Sequence, residues 1–274
     1  MLIKILVENT AEMDCIKAVH GLSVYIETSQ HKILFDLGPD DFFERNAKRL
    51  EVNLQAVDIV VISHGHADHG GGLRRFLELN KTARIYVQKN AFKKHFSKRA
   101  NGELAFIGLD EELAQNKQII FVDNQVYIDD SLEIFADITG DQQLPTDNQS
   151  LLMLSAEGLA VDDFSHEQNL VIREGGRKIL LAGCAHRGIR NILAKFHMLS
   201  KCYPDYVIGG FHLYSQSRQT GENPAEIKRL GEALKKTGSQ FYTCHCTGQG
   251  PYEQLKDSMS SQIEYVGAGR QMIL

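Results

Sequence analysis

Net positive charge is missing from this sequence. Its 30 Lys and Arg are outnumbered by 35 Asp and Glu, for a formal charge of -5. Such a chain offers no overall attraction to a polyanion, so nucleic acid is not expected as a partner. Long apolar runs are missing too, and with them any sign of a membrane span. The opening stretch MLIKILVENTAEMD is short and has no small-residue cleavage site, so it reads as a first strand rather than a signal peptide. A cytoplasmic location is expected. Cysteine is sparse: Cys15, Cys184, Cys202, Cys244 and Cys246 are odd in number and scattered. That spacing argues against a disulfide framework and for reduced, buried or metal-linked thiols. No repeat, low-complexity tract or linker breaks the chain, so residues 1–274 are expected to form a single domain. With 43% hydrophobic residues, a core of this size needs no structural metal. Any bound metal is therefore expected to serve chemistry.

The hydrophobic pattern predicts strands at 1–7, 22–28 and 31–35 and a helix over 41–50. Residues 58–62, Asp-Ile-Val-Val-Ile, form a run rich in β-branched residues, as in a buried strand. A helix is expected from 73, a strand at 84–88 and a basic helix over 89–99. That helix would be a solvated face, or else an electropositive rim for a phosphate-bearing substrate. Residues 100–148 read as an insertion lying over the site like a lid. Strands at 150–154, 169–173 and 178–182 follow, with Gly175-Gly176 as a hairpin turn. Helices near 187–198, 224–237 and 250–258 then alternate with strands at 206–209 and 240–243. The expected fold class is α/β, two sheets packed together with helices outside.

The eleven histidines matter by position. His64, His66, Asp68 and His69 follow the buried strand directly, and glycines follow them. Imidazole and carboxylate are good ligands for zinc, iron or manganese. Residues two apart on an extended segment share a side, so His64 and His66 can meet one ion. Asp68 and His69 can reach a second. Two ions about 3.5–4 Å apart can activate a bridging water.

His-x-His-x-Asp-His after an apolar strand resembles the signature of the metallo-β-lactamase superfamily. Other segments are similar to its remaining motifs, in the same order. Asp36 in Phe35-Asp36-Leu37-Gly38 resembles the buttressing Asp-x-Gly turn. His166 resembles the histidine that completes the first metal site, with Asp162 or Asp163 as alternatives. Cys184 after Gly183 resembles the cysteine ligand of the β-lactamases proper, and His245 the last motif's histidine. Gly183-Cys184-Ala185-His186, Gly209-Gly210-Phe211-His212 and Cys244-His245-Cys246 together resemble one prokaryotic subfamily of metal-dependent hydrolases. Some of its members are named dihydropterin-ribofuranosylaminobenzene-phosphate synthases.

The resemblance implies a four-layer αβ/βα sandwich and a mononuclear or dinuclear site, with zinc as the expected divalent ion and iron or manganese as alternatives. It implies the metal ligands His64, His66, Asp68, His69, His166, Cys184 and His245. His186 is open between ligand, general acid and substrate contact. Asp68 and His186 are the candidate catalytic residues, and His212 is expected at the substrate. Cys244 and Cys246, flanking His245 in a strand, are expected to point away from it. His20, His31, His95 and His197 carry no expected role. The expected function is a hydrolase with a metal-activated hydroxide, acting on a small molecule, a phosphoester first. A synthase-like enzyme and a non-catalytic metal or redox sensor are the alternatives.

Overall fold

The computed structural model describes all residues, 1–274. Two seven-stranded sheets face each other. One orders Gln271–Ile273, Leu2–Val7, Ser23–Glu27, Lys32–Phe35, Ile59–Ile62, Arg84–Gln88 and Ile119–Val122. The other orders Ile263–Tyr265, Gln240–Thr243, Tyr206–Gly209, Arg177–Leu181, Asn169–Glu174, Leu132–Phe135 and Gln125–Tyr127. Both are mixed: Lys32–Phe35 through Ile119–Val122 run parallel, as do Arg177–Leu181 through Ile263–Tyr265.

Strand alternation distributes the apolar side chains into three cores. Ile59 and Val61 face the opposite sheet, where Ile134, Leu170, Ile179 and Ile208 meet them. Val60 and Ile62 point the other way, onto Phe43, Leu73 and Phe76 of helices Phe42–Arg49 and Leu73–Leu79. Beyond the second sheet, Leu180, Val207 and Phe241 pack against Ile192 and Phe196 of Ile189–Ser200 and against Ile227 of Pro224–Lys235. A sheet buried on both faces reads as continuous apolar sequence, which is why the central strands were legible. The layers run helix, sheet, sheet, helix, as expected.

Two regions differ from the sequence reading. Residues 89–99 form no helix: a turn leads into the strand His95–Lys98, paired with Leu151–Ser155. His95 and Ser97 are buried while Lys98 is exposed, a period of two that the lysines masked. Residues 100–148 do not lie over the site as one lid. Ile119–Val122 and Leu132–Phe135 join the two main sheets. Only Leu104–Phe106 joins a separate small sheet, with His95–Lys98, Leu151–Ser155 and Gly158–Val161. That small sheet walls one side of the site.

Candidate metal centre

The carboxyl ends of parallel strands in both sheets open onto one crevice, the place where α/β sheets gather ligand groups. Lys32–Phe35 delivers Asp36, Ile59–Ile62 delivers residues 63–69, Arg177–Leu181 delivers Cys184 and His186, and Tyr206–Gly209 delivers His212. Gln240–Thr243 delivers His245. Asp36, Ala185, His212 and His245 all take a left-handed backbone, with φ between 50° and 60°. Such conformations cost about 1 kcal/mol or more each and persist where surrounding structure fixes them. Gly183 has no room for a side chain, since a Cβ there would strike Ser63 Oγ.

Hydrogen bonds fix the tautomer of each ring. Asp36 accepts from Ser63 N and Ser63 Oγ, both at 2.7 Å, and from His69 Nδ1 at 2.7 Å. Ser63 Oγ thereby has its lone pair free for His64 Nδ1–H, at 2.8 Å. Asn148 Oδ1 accepts from His186 Nδ1 at 3.1 Å, and Asn9 Oδ1 from His245 Nδ1 at 2.9 Å. In neutral His64, His186 and His245 Nε2 is therefore left with its lone pair, and in His69 it is freed once a metal displaces the ring's second proton. The Nε2 atoms of His64 and His186 are buried with no partner.

Two clusters result. His64, His66 and His186 bring ligand atoms within 4.8 Å of one another, their rings edge-on about a common point. Burial drives His64 and His186 well below the usual histidine range, and neighbouring histidines push the same way. Burial also takes His66 down to about 4. All three are neutral donors.

The second cluster has His69 Nε2 at 3.1 Å from Cys184 Sγ and 3.2 Å from His245 Nε2. Asp68 Oδ2 lies 3.2 Å from His245 Nε2 and 3.8 Å from His69 Nε2. Tetrahedral zinc at ordinary bond lengths separates its ligands by about 3.3 Å. At that distance either the second proton of His69 or a metal ion must lie between the facing atoms. The local electrostatics make the same demand. Burial opposes charge at His69, but Asp36 and Asp68 outweigh it and lift the imidazole to about 9. Burial also opposes charge at Asp68, yet His69, His20 and His245 hold it well below the usual carboxylate range. This chain's donor set fits a divalent metal.

His166, expected among the ligands, lies outside these two clusters and falls in a further group of possible ligands with His66, His95 and Asp162. Its Nδ1 accepts from Gly65 N at 2.9 Å, so Nε2 carries the proton and donates to Asp162 Oδ2 at 3.1 Å. Neither nitrogen has a lone pair to spare. Asp162 also accepts from His95 Nδ1 at 2.8 Å and lies 3.9 Å from His66 Nε2. His186, whose role the sequence left open, gathers with His64 and His66. Cys246 does not point away from His245. The strand ends at Thr243 and His245–Thr247 is a 3-10 turn, so Cys246 gathers with Cys184 and His245. Cys244 is a core thiol, as expected.

Several residues at the site had no expected role, among them Asn9, Ser63 and His95 above. His20 Nε2 is 3.3 Å from Asp68 Oδ2. Asn148 also donates to His186 O, and Glu167 accepts from His186 N and Arg187 N. Gln168 ties Ile62 O to Tyr86 O. No local motif marks them. Glu167 and Gln168, polar residues just before a buried strand, were the only available signal.

The clusters open into a cavity of about 260 Å³. His20, His66, Asp68, Cys184, His186 and His212 face it, with Ser97 and Arg99 on the small-sheet wall and Ser215 to Ser217 among the other lining residues. Arg99 is half-buried and makes no ion pair. Both ring nitrogens of His212 are buried without a partner.

Residues 16–225 match the family model of the Metallo-beta-lactamase superfamily. The chain belongs to that superfamily. Its relatives in it include an uncharacterized protein of Methanocaldococcus jannaschii, 30% identical over 97% of this chain and 98% of its own length. A second protein of that organism is named 7,8-dihydropterin-6-methyl-4-(beta-D-ribofuranosyl)-aminobenzene-5'-phosphate synthase. It is 28% identical, covering 92% of this chain and 88% of its own. A crystal structure of a metal-dependent hydrolase of the beta-lactamase superfamily superposes with a TM-score of 0.83 at 28% identity, covering 100% of this chain and 99% of that one. The superfamily fold implies a divalent metal, and the two clusters are this member's candidate ligands. No helix is long and apolar enough to cross a membrane.

Proposed function

We propose that the chain is a metal-dependent hydrolase of small anionic esters, phosphoesters first. The observation that carries this is the gathering of two sets of ligand groups beside one cavity: His64, His66 and His186 in one, Asp68, His69, His245 and Cys184 in the other. Divalent ions held there, zinc first, would activate water near neutral pH and polarise the scissile oxygen. The chain's own groups do the rest. Asp36, Asn148 and Asn9 hold the ligand rings in their donor tautomers. His212, open at both nitrogens, is positioned to bond the substrate or to pass a proton to the leaving oxygen. Arg99 supplies an uncompensated guanidinium on the cavity wall, which favours an anionic substrate over a neutral one.

The test is a turnover assay of metal-loaded protein on bis(4-nitrophenyl) phosphate beside neutral lactones and a lactam. Phosphodiester cleavage that falls at least about tenfold in Arg99→Leu is expected. No turnover on any member of the panel, with metal bound, contradicts the reading. A second reading is a synthase-like activity, favoured by the 28% identity to the dihydropterin-linked synthase. Product formation from a dihydropterin and a ribosyl-aminobenzene phosphate would distinguish it.

A further inference from the structure

A second cavity, of about 290 Å³, lies beside the metal-site cavity and takes part in no step described above. Its apolar lining is Leu144, Pro145, Ile189, Phe211, Leu213 and Leu230. Phe211 and Leu213 are buried and form a rigid floor. A smaller hollow shares lining residues with each of the two. His212, Asp147 and Ser215 line both the metal-site cavity and the hollow, while Leu213 and Glu222 line both the hollow and the second cavity. The left-handed turn at His212 lets consecutive side chains serve successive compartments. His212 looks to the metal ligands and Leu213 to the apolar end.

The charges at this end are sorted as well. Glu226 is engaged by Arg229, and Glu222 by Thr146. Arg190 lines the cavity, is exposed and makes no ion pair. A planar guanidinium beside an apolar floor suits the face of an aromatic ring. The volume is at the lower end of the about 300–1,000 Å³ typical of small-ligand sites, enough for one ring system.

We infer that this cavity is a substrate subsite for a planar aryl or heteroaryl group, joined through the hollow to the ester that reacts at the metal centre. The reaction end of this inference rests on the hydrolase reading; the binding end does not. Two phosphodiesters with a ring-free 2,2,2-trifluoroethyl leaving group test it, one with a methyl second arm and one with a 2-(2-naphthyl)ethyl arm. The ring-bearing ester is expected to have the higher kcat/KM, by about tenfold through KM. That ratio is expected to collapse toward one in Leu230→Trp and in Leu144→Trp, which fill the cavity from its exposed side. A ratio near one in the unmodified chain, or one that survives both tryptophans, overturns the inference. If neither diester is cleaved, the hydrolase reading is judged by the substrate panel above and naphthyl fluorescence decides the subsite. Binding of 2-(2-naphthyl)ethyl phosphate that weakens about tenfold in Leu230→Trp supports it; binding equal in both proteins overturns it.

Discussion

A histidine binds metal only through a nitrogen that keeps its lone pair, so each ring's other nitrogen decides its role. His166 and His186 make the contrast. Both are buried, and both lie in segments that enter the crevice. Gly65 N–H donates to the one lone pair of His166, whereas Asn148 Oδ1 accepts from Nδ1–H of His186 and leaves its Nε2 free. Asn148→Ala is therefore expected to weaken metal binding by about 10–100-fold, the usual effect of losing an outer partner. Its circular dichroism spectrum should stay unchanged. Competition with a chromophoric chelator measures the affinity, and an unaltered Kd would show that Asn148 does not orient the ring. His64, His66, Asp68 and His69 were legible in the sequence because they are contiguous after a buried strand. The partners of His166 and His186 were not, because Gly65 and Asn148 meet those rings only through tertiary packing.

At the scale of elements, the central strands and the helices Ile189–Ser200 and Pro224–Lys235 follow directly from apolar periodicity. Residues 89–99 do not. Their lysines suggest a solvated helix, and pairing with Leu151–Ser155 overrides that propensity. The cysteines beside His245 show the same limit, since strand alternation stops at Thr243. One tertiary joint between elements was also invisible in sequence. His31, in the turn between Ser23–Glu27 and Lys32–Phe35, bonds Asp58 Oδ2 at 2.6 Å and Asp129 Oδ2 at 2.7 Å. Asp129 lies in the turn between Gln125–Tyr127 and Leu132–Phe135, so the ring clips one sheet to the other. Burial disfavours its charge, but Asp58 and Asp129 outweigh that and raise its pKa above 6.5. The clip's stabilisation is therefore full below the unfolded value and lost as pH rises through the folded one. His31→Gln is expected to lower the melting temperature at about pH 5.5 and to have much less effect at about pH 9. Equal losses at both pH values would remove the ion-pair account.

For the whole molecule, the candidate metal ligands come from both sheets, so an ion held by them would tie the two together. His64, His66, Asp68 and His69 come from one sheet, and Cys184, His186 and His245 from the other. A cation shared across that seam binds the folded chain and not the unfolded one. At free metal about a hundred times Kd the gain is about 2.7 kcal/mol, on the order of 5 °C in a chain of this size. Chelation should lower the calorimetric melting temperature by that amount, and readdition of zinc should restore it. The small sheet walls the cavity and also carries His95, which bonds Asp162 beside His66.

The account's central claim is tested most directly by anomalous diffraction from a crystal loaded with zinc. It predicts two peaks. One should lie within about 2.0–2.3 Å of ligand atoms from His64, His66 and His186, and the other at the same range from Asp68, His69, His245 and Cys184. Peaks on His95, Asp162 and His166 instead, or no peak in the crevice, would contradict it.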